Sequence, residues 1–536
     1  MTDTRVEFFR GELFGSGESK TAEDAFAEAY AKGGVERIAS LRGAFAAAIK
    51  DGPTTILVRD QFGIFPLYYH VSANSSGSGI LYSTSVLDLL SKGVPRKLSS
   101  EGLLSYLSYG CLYAPYTMVE GVMIVPPGCA VTIVGDDVDV KRYWTPSFDV
   151  KEWKPDELQE AVTAELLRAV REQTVAYGAS GIRPAAFLSG GLDSSSIVSL
   201  WRRQYDGEIR TYCVTHEDAR TDERKWARMV AERNGTIHTE LALSDSLVRE
   251  WLDEAAGCYD QPSLDGLNFW FATKLLKETT SEKLMLSGEG GDELFMGYGQ
   301  FIKHQLAYKY APLARYFPRF VGATIDAVTT KEKYRKLAML AGFKGDPYYV
   351  PRRILSDWQI SRVLNPDLLV ASTPQLLMQP DLPLDLLNRI SWLEMQTVVA
   401  DMWMRDGFQT SAHNGISLRT PICDVRLAEL LYTVPGRMKC DECISKPLLV
   451  RAAGYGIPED CVMRKKSGFS LPFDRYFTGE LKDRIDEFLS GNTTRLFRPD
   501  TIRKMGRQYK AGRLYWNRIW ELFMVEDWCQ KNKVTL

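Results

Sequence analysis

Three short segments carry residues whose types and spacing suit phosphate chemistry. The first is Ser189-Gly190-Gly191-Leu192-Asp193-Ser194-Ser195, between an apolar run expected as a strand (residues 184–188) and a helix expected from about Ser195. Gly190 and Gly191 let backbone N–H groups approach an anion closely, and a helix N-terminus adds a favourable dipole. The hydroxyls of Ser189, Ser194 and Ser195 add further donors. The segment lacks the Gly-Lys-Ser/Thr ending of a Walker loop and the spaced glycines of dinucleotide folds. Asp193 is the informative residue. A carboxylate inside an anion-binding loop repels phosphate unless a cation lies between them, which implies Mg2+. Taken alone, the segment also reads as a Gly-rich turn with Asp193 capping a helix.

The second segment, Ser287-Gly288-Glu289-Gly290-Gly291-Asp292-Glu293, follows an expected strand at residues 283–287. It again sets glycines and acids beyond the carboxyl end of a parallel strand, where open α/β sheets bind ligands. Asp292 supplies a second carboxylate for Mg2+, and Glu289 is left for other work. The third segment, Arg464-Lys465-Lys466-Ser467-Gly468-Phe469, places a cation on a Gly-flexed loop. A lysine there suits the charge that develops at an α-phosphate and on the later oxyanion.

The elements that must position these loops change character along the chain. Residues 1–145 read as β-structure after an early helix at 21–40, with strands expected at 44–49, 54–58, 66–71, 80–83 and 130–134. A Pro-bounded break at 146–155 reads as a linker. Beyond it, an amphipathic helix (156–177) precedes strands at 184–188, 210–215 and 283–287, with a helix at 223–234 between them. Strands alternating with helices indicate a parallel α/β sheet. From residue 295 the pattern is largely helical.

At 536 residues the chain needs two or three domains. A net charge of −2, with Arg464-Lys465-Lys466 a short and isolated basic run, predicts neither a nucleic-acid nor an anionic-membrane partner. No apolar run approaches the roughly 20 residues that span a bilayer, and the first residues do not read as a secretion signal. Nine scattered cysteines fit a reducing cytoplasm. Cys440 and Cys443 form a single CxxC, read as packed thiols, and His70, His216, His238, His304 and His413 show no metal-ligand spacing. Phe269, Trp270 and Phe271 read as core, with an acceptor pocket as the alternative. Asp222-Glu223 reads as a helix cap.

Together the three segments resemble the asparagine synthetase family, matching its pyrophosphatase loop, its second ATP-site loop and its catalytic-lysine segment. The segment from Arg59-Asp60 through Phe62-Gly63 to Pro66-Leu67-Tyr68-Tyr69, the turn Pro126-Pro127-Gly128 and the stretch Arg419-Thr420-Pro421-Ile422-Cys423-Asp424 are similar to further family segments. The resemblance implies α/β and α+β architecture. A truncated Ntn-hydrolase-like β-sandwich (1–150) would precede an ATP-pyrophosphatase (adenine nucleotide α-hydrolase-like) parallel-sheet domain with extra helices (151–536). It also implies roles. Leu188 and Val214 would flank adenine, with Ser189, Gly190, Gly191, Leu192, Asp193, Ser194, Ser195, Ser287, Gly288 and Asp292 around the nucleotide. Asp193 and Asp292 would hold Mg2+, Lys466 would stabilise transferring charge, and Glu289 would help deprotonate an amine. The implied reaction is carboxylate plus ATP giving acyl-AMP and pyrophosphate, then amine attack giving an amide and AMP.

The sequence departs from the family at its glutaminase. Residue 2 is Thr2 where the family has cysteine, and the first cysteine is Cys111. This resembles β-lactam synthetases and lasso-peptide cyclases, whose amine comes from the substrate. The former carry Tyr at the position of Glu289, which favours the latter. Ser417 replaces a family Glu, placing aspartate as substrate in doubt. The expectation is therefore a cytoplasmic, ATP- and Mg2+-dependent amide-forming ligase acting on a small-molecule or peptide carboxylate and an amine. An amidotransferase fed with free ammonia or by a separate glutaminase is the alternative. A homodimer or a pathway partner enzyme is compatible with either.

Overall fold

The computed structural model describes residues 4–15, 21–72, 79–175, 181–216, 222–297, 299–328, 332–368, 384–441, 443–464, 475–476, 479, 481–492 and 494–536. Strands β1 (Thr4–Leu13), β2 (Gly43–Asp51), β3 (Thr54–Arg59), β7 (Cys129–Val134) and β8 (Asp137–Arg142) form one antiparallel sheet in the order β1-β2-β3-β7-β8. Strands β4 (Tyr68–Ser72), β5 (Gly79–Ser83) and β6 (Val122–Ile124) form a second, β5-β4-β6. The period of two in β2 explains the layering. Ala46 and Ala48 face the second sheet beside Leu67 and Tyr69, while Phe45, Ala47 and Ile49 face the helix Ala22–Ile38 through Phe26 and Ile38. Strand β1 is absent from the sequence expectation. A register shift between Val6 and Phe8 breaks its alternation, and as an edge strand it stays partly exposed.

The Arg59-Asp60 segment proves to be a structural corner. The Asp60 carboxylate accepts from the backbone N–H groups of Phe45, Phe62, Ile64 and Phe65 at 3.0–3.2 Å. Burial nevertheless pushes its pKa up to about 6. The fully buried Arg59 guanidinium donates to Gly63 O (2.7 Å), Phe65 O (3.0 Å) and Val125 O (3.0 Å) within the sandwich. It also reaches Ala400 O (3.2 Å) and Asp401 Oδ1 (3.3 Å) in the second half of the chain. Asp401 Oδ2 in turn accepts from Ala114 N at 2.8 Å. Both residues lie away from water, so their mutual satisfaction fastens the sandwich to the second half of the chain.

The helix Pro155–Val175 leads into a third sheet; Tyr177, at the expected end of that helix, lies outside the described residues. Strands β9 (Ala185–Phe187), β10 (Arg210–His216), β11 (Ile237–Leu243), β12 (Leu284–Leu286) and β13 (Ser417–Arg419) run parallel in the order β11-β10-β9-β12-β13. The chain builds outward from β9 to β10 and β11, then crosses to β12 on the other side. The carboxyl ends of β9 and β12 thus flank the topological switch point. Strand β11 is absent from the sequence expectation: it pairs only with β10, and apolar Ile237 and Ala242 lie exposed while His238 and Glu240 are half-buried, so polarity does not follow the pleat. Helices make up most of the remainder, including a π-helical stretch, Met395–Met404, in direct continuity with Leu386–Glu394 and Arg405–His413.

Arg59→Met is expected to cost about 3–5 kcal/mol of unfolding free energy by stranding the buried Asp401 carboxylate. The urea-unfolding midpoint measures it, and a midpoint equal to wild type would contradict the clamp.

Candidate active site

The loops that leave β9 and β12 wall one cavity of about 440 Å3, a size suited to a small-molecule ligand. In the first loop Gly190 has φ +69°, and a Cβ there would sit 2.5 Å from the Trp226 backbone. The two accessible serines shape this loop. Ser189 Oγ accepts from Gly191 N (3.2 Å), while Ser194 Oγ accepts from Ser189 N (3.3 Å) and donates to Gly191 O (3.3 Å). Ser195 is fully buried, so its hydroxyl does not reach the cavity as its sequence position suggested. The helix Leu192–Arg202 begins three residues earlier than the sequence indicated, with Gly191 as N-cap and no side-chain cap. Asp193 therefore lies in the first turn, and the helix N-terminus opens on the cavity.

The second loop packs directly onto this turn. Ser287 N donates to Arg419 O of β13 at 2.8 Å, fixing its start. A Cβ on Gly288 would lie 2.7 Å from Asp193 Cβ, and one on Gly291 would overlap the Asp193 carboxylate. Any side chain at either position would separate the loops. Close approach, more than backbone freedom, is what these glycines supply.

Between the loops Asp193 and Asp292 converge on one buried cation that sequence reading did not find, Lys446. Its Nζ lies 2.6 and 2.5 Å from the Asp193 oxygens and 2.7 Å from Asp292 Oδ1. Burial alone lowers the pKa of this ammonium, but the two carboxylates outweigh it and hold the group above its ordinary value. Lys446 sits at φ 55°, a left-handed conformation costly for a residue with a Cβ. Ser445 Oγ donates to Gly297 O at 3.0 Å and so ties this strained turn to the segment that follows the second loop, where Gly297 N donates to Asp292 O. Lys446 stands alone before Pro447, far from both loops in sequence, with no glycine or basic neighbour to mark it.

Leu188 and Val214 both line the cavity, as do Gly191, Leu192, Ser287 and Glu289; Gly190 packs behind it on Trp226. Arg464 lines it too. Its guanidinium donates to Glu223 at 2.7 Å and stacks over the Trp226 ring at 5.5 Å. Glu223 therefore holds a cavity arginine, a role its reading as a helix cap missed. Lys466 and Thr2 lie outside the described residues. The helix Leu267–Thr279 and the turn before it contribute Asp265, Asn268 and Phe269, and Trp403 comes from the π-helical stretch. Burial raises the Asp265 carboxyl above its ordinary range. Of the three aromatics read as core, Trp270 and Phe271 are fully buried and Phe269 lines the cavity.

Other residues weighed from sequence fall elsewhere. Ser417 lies on β13 against a separate cavity of about 280 Å3 between the sandwich and the parallel sheet. Ser417 therefore forms no part of the described wall of the cavity between the β9 and β12 loops. His216 bonds Asp245 and Tyr476, and His304 pairs with Glu394 at 3.0 Å. Cys440 and Cys443 are exposed, where packed thiols were expected.

A family model for asparagine synthase matches residues 161–530, and one for a glutamine amidotransferase domain matches residues 9–144. The chain belongs to the asparagine synthase family. It is accordingly an ATP-dependent, AMP-forming carbon–nitrogen ligase. Asparagine synthetase (glutamine-hydrolyzing) 1 of Bacillus subtilis is 24% identical, over 86% of this chain and 72% of its own. A putative asparagine synthetase (glutamine-hydrolyzing) of Mycobacterium tuberculosis is 26% identical, over 85% of this chain and 71% of its own. Amidase chry2 of Gibberella zeae is 28% identical over 50% of this chain and 42% of its own.

Gly291→Ala is expected to force the two loops of this asparagine synthase-family site apart and weaken ATP binding at least about tenfold, or 1.4 kcal/mol. Calorimetric titration with ATP measures it, alongside a circular dichroism spectrum that should match wild type. Unchanged affinity would disprove the packing argument.

Proposed function

We propose that the protein adenylates a carboxylate and joins the activated acyl group to an amine without hydrolysing glutamine itself, as a macrolactam-forming or other natural-product amide synthetase does. The observation that carries this reading is the convergence of Asp193 and Asp292 on one cation beside an uncapped helix N-terminus. That donor set fits Mg2+: two carboxylates already share a cation, and hard oxygen ligands suit the metal. Asp193 and Asp292 would hold Mg2+, which would supply charge neutralisation to a pyrophosphate leaving group.

In this reading Leu188 and Val214 flank the adenine, and Ser287 and Gly288 contact the nucleotide. First-turn amides of the helix Leu192–Arg202 hold phosphate oxygens. The substrate carboxylate oxygen bonds the α-phosphorus as the α–β anhydride breaks and pyrophosphate leaves. The amine nitrogen then bonds the acyl carbon, the bond to AMP breaks, and Glu289 accepts the amine proton. Lys466 stabilises the charge that develops at the α-phosphate and on the acyl oxygen.

Two features support an amine other than glutamine-derived ammonia. The thiols of residues 1–150 are Cys111 and Cys129, both buried. Burial pushes Cys111 up to about 12 and raises Cys129, so neither suits a hydrolytic nucleophile. On the acceptor side, the described lining offers Asp265, Asn268, Phe269 and Trp403. An acid among aromatics suits an amine-bearing organic molecule or peptide. The match to a glutamine amidotransferase domain favours a second reading, in which ammonia arrives free or from a partner glutaminase. For location, the nine unpaired thiols support a reducing cytoplasm. Among the described residues no helix is long and apolar enough to cross a membrane.

Pyrophosphate release by the purified chain is expected with a matching amine-bearing carboxylate and to be indifferent to glutamine. Glutamine-supported turnover would sink the leading reading, and ammonium-dependent turnover would favour the second. Asp193→Ala and Lys466→Ala are each expected to slow pyrophosphate release by about a hundredfold or more. Glu289→Gln should retain pyrophosphate release and lose amide formation; the converse pattern would remove Glu289 from the second step.

A further inference from the structure

The net charge of −2 conceals a local excess: residues 300–344 contain nine Lys and Arg against only Asp326 and Glu332. Within this stretch the helix Gln300–Ala314 has two apolar faces. Phe301, His304 and Ala307 are buried against the body of the protein. Ile302, Leu306, Tyr310 and Leu313 are exposed, and at about 100° per residue they fall within a sector of about 80°. Exposed Lys303 and Lys309 border this sector on its two sides. A surface helix ordinarily carries one apolar stripe; a second one, facing water, marks a surface that something covers.

The face continues beyond that helix. Tyr316 is 74% exposed and Phe320 70%, against 61% for Ile302 and 67% for Leu313. The helix Glu332–Met339, packed on Arg319–Val328, adds exposed Lys333, Tyr334 and Leu337. We propose that this face docks on the surface of an anionic lipid bilayer, lying on it without crossing it. Side chains this exposed protrude, as insertion among lipid headgroups requires, and aromatic rings suit that boundary. The flanking lysines can keep their charge in the headgroup layer while their stems cover apolar surface. Two copies meeting through this face would instead set the same basic surplus against itself.

The test is flotation of the full chain with vesicles of phosphatidylcholine, alone or with about a third phosphatidylglycerol. Wild type is expected to float with the anionic vesicles, to stay behind with the neutral ones, and to release as salt rises. Leu313→Glu combined with Phe320→Glu should lower the bound fraction at least about tenfold. Lys303→Glu combined with Lys309→Glu should abolish the preference for anionic vesicles. Circular dichroism and pyrophosphate release equal to wild type would show that these variants fold. Three outcomes would overturn the proposal: wild type that never floats, folded variants that float equally well, or a solution dimer by light scattering that Leu313→Glu dissociates. The last would reassign the face to self-association.

Discussion

The crevice depends on holding two carboxylates, Asp193 and Asp292, close enough to share one cation. Like charges at that separation repel strongly in a partly buried site, so the arrangement persists only with a counter-charge between them. Lys446 supplies it, with all three contacts at 2.5–2.7 Å. Removing the lysine would leave uncompensated charge, which costs more than the ion pair itself contributes. The demand propagates outward. The loops can meet only if Gly288 and Gly291 leave room for Asp193, and only if β9 and β12 are neighbours in the sheet. Strand order, glycine placement and the strained turn at Lys446 are thus consequences of one electrostatic requirement.

The sandwich contributes to this arrangement from outside the crevice. Its Arg59 reaches the π-helical stretch that also carries Trp403, and its Ser85 Oγ donates to Asp260 at 2.6 Å, just before the turn that holds Asp265. Glu12 of β1 pairs with Arg419, the residue whose carbonyl receives Ser287 N. Both walls of the crevice are therefore braced by buried or partly buried polar contacts to the amino-terminal domain. Such contacts specify geometry strongly because each unpaired partner would be costly. A domain whose own thiols are buried still sets where the ligase loops sit.

What the sequence made legible follows from the range of the interactions involved. The two glycine-rich loops were readable because their chemistry is local: glycines, hydroxyls and acids within seven residues, after an apolar strand. The parallel sheet was readable from alternation of strand and helix, although β11 and β13 escaped. Strand β13 is three residues long and gains its identity only by pairing with β12, more than a hundred residues earlier. Lys446 escaped for a related reason. Nothing in its neighbours indicates an anion, and its partners lie in two loops distant in sequence. Ser195 failed in the opposite sense: it matched the motif, but the helical turn, not the motif, decides which side chains face inward. The Arg59-Asp60 segment was read only as a family marker, and its hydrogen bonds show that it is there for architecture.

The exposed helices show the same lesson at the scale of charge. Summing over a chain discards position, yet exposed charges separated by more than a Debye length, about 8 Å in physiological salt, scarcely sense one another. A strongly basic stretch of 45 residues therefore acts as a basic surface even though the remainder of the chain is acidic enough to bring the total to −2. Hydrophobic patterning misleads in a parallel way. The helix Gln300–Ala314 has apolar residues on opposite sides, so periodicity alone does not say which side packs. Only the structure separates the side that packs, through Phe301 and His304, from the side that faces outward, through Ile302 and Leu313. The physical content lies in that pairing of an uncovered apolar stripe with a local charge excess, because either feature alone occurs on many surfaces that bind nothing.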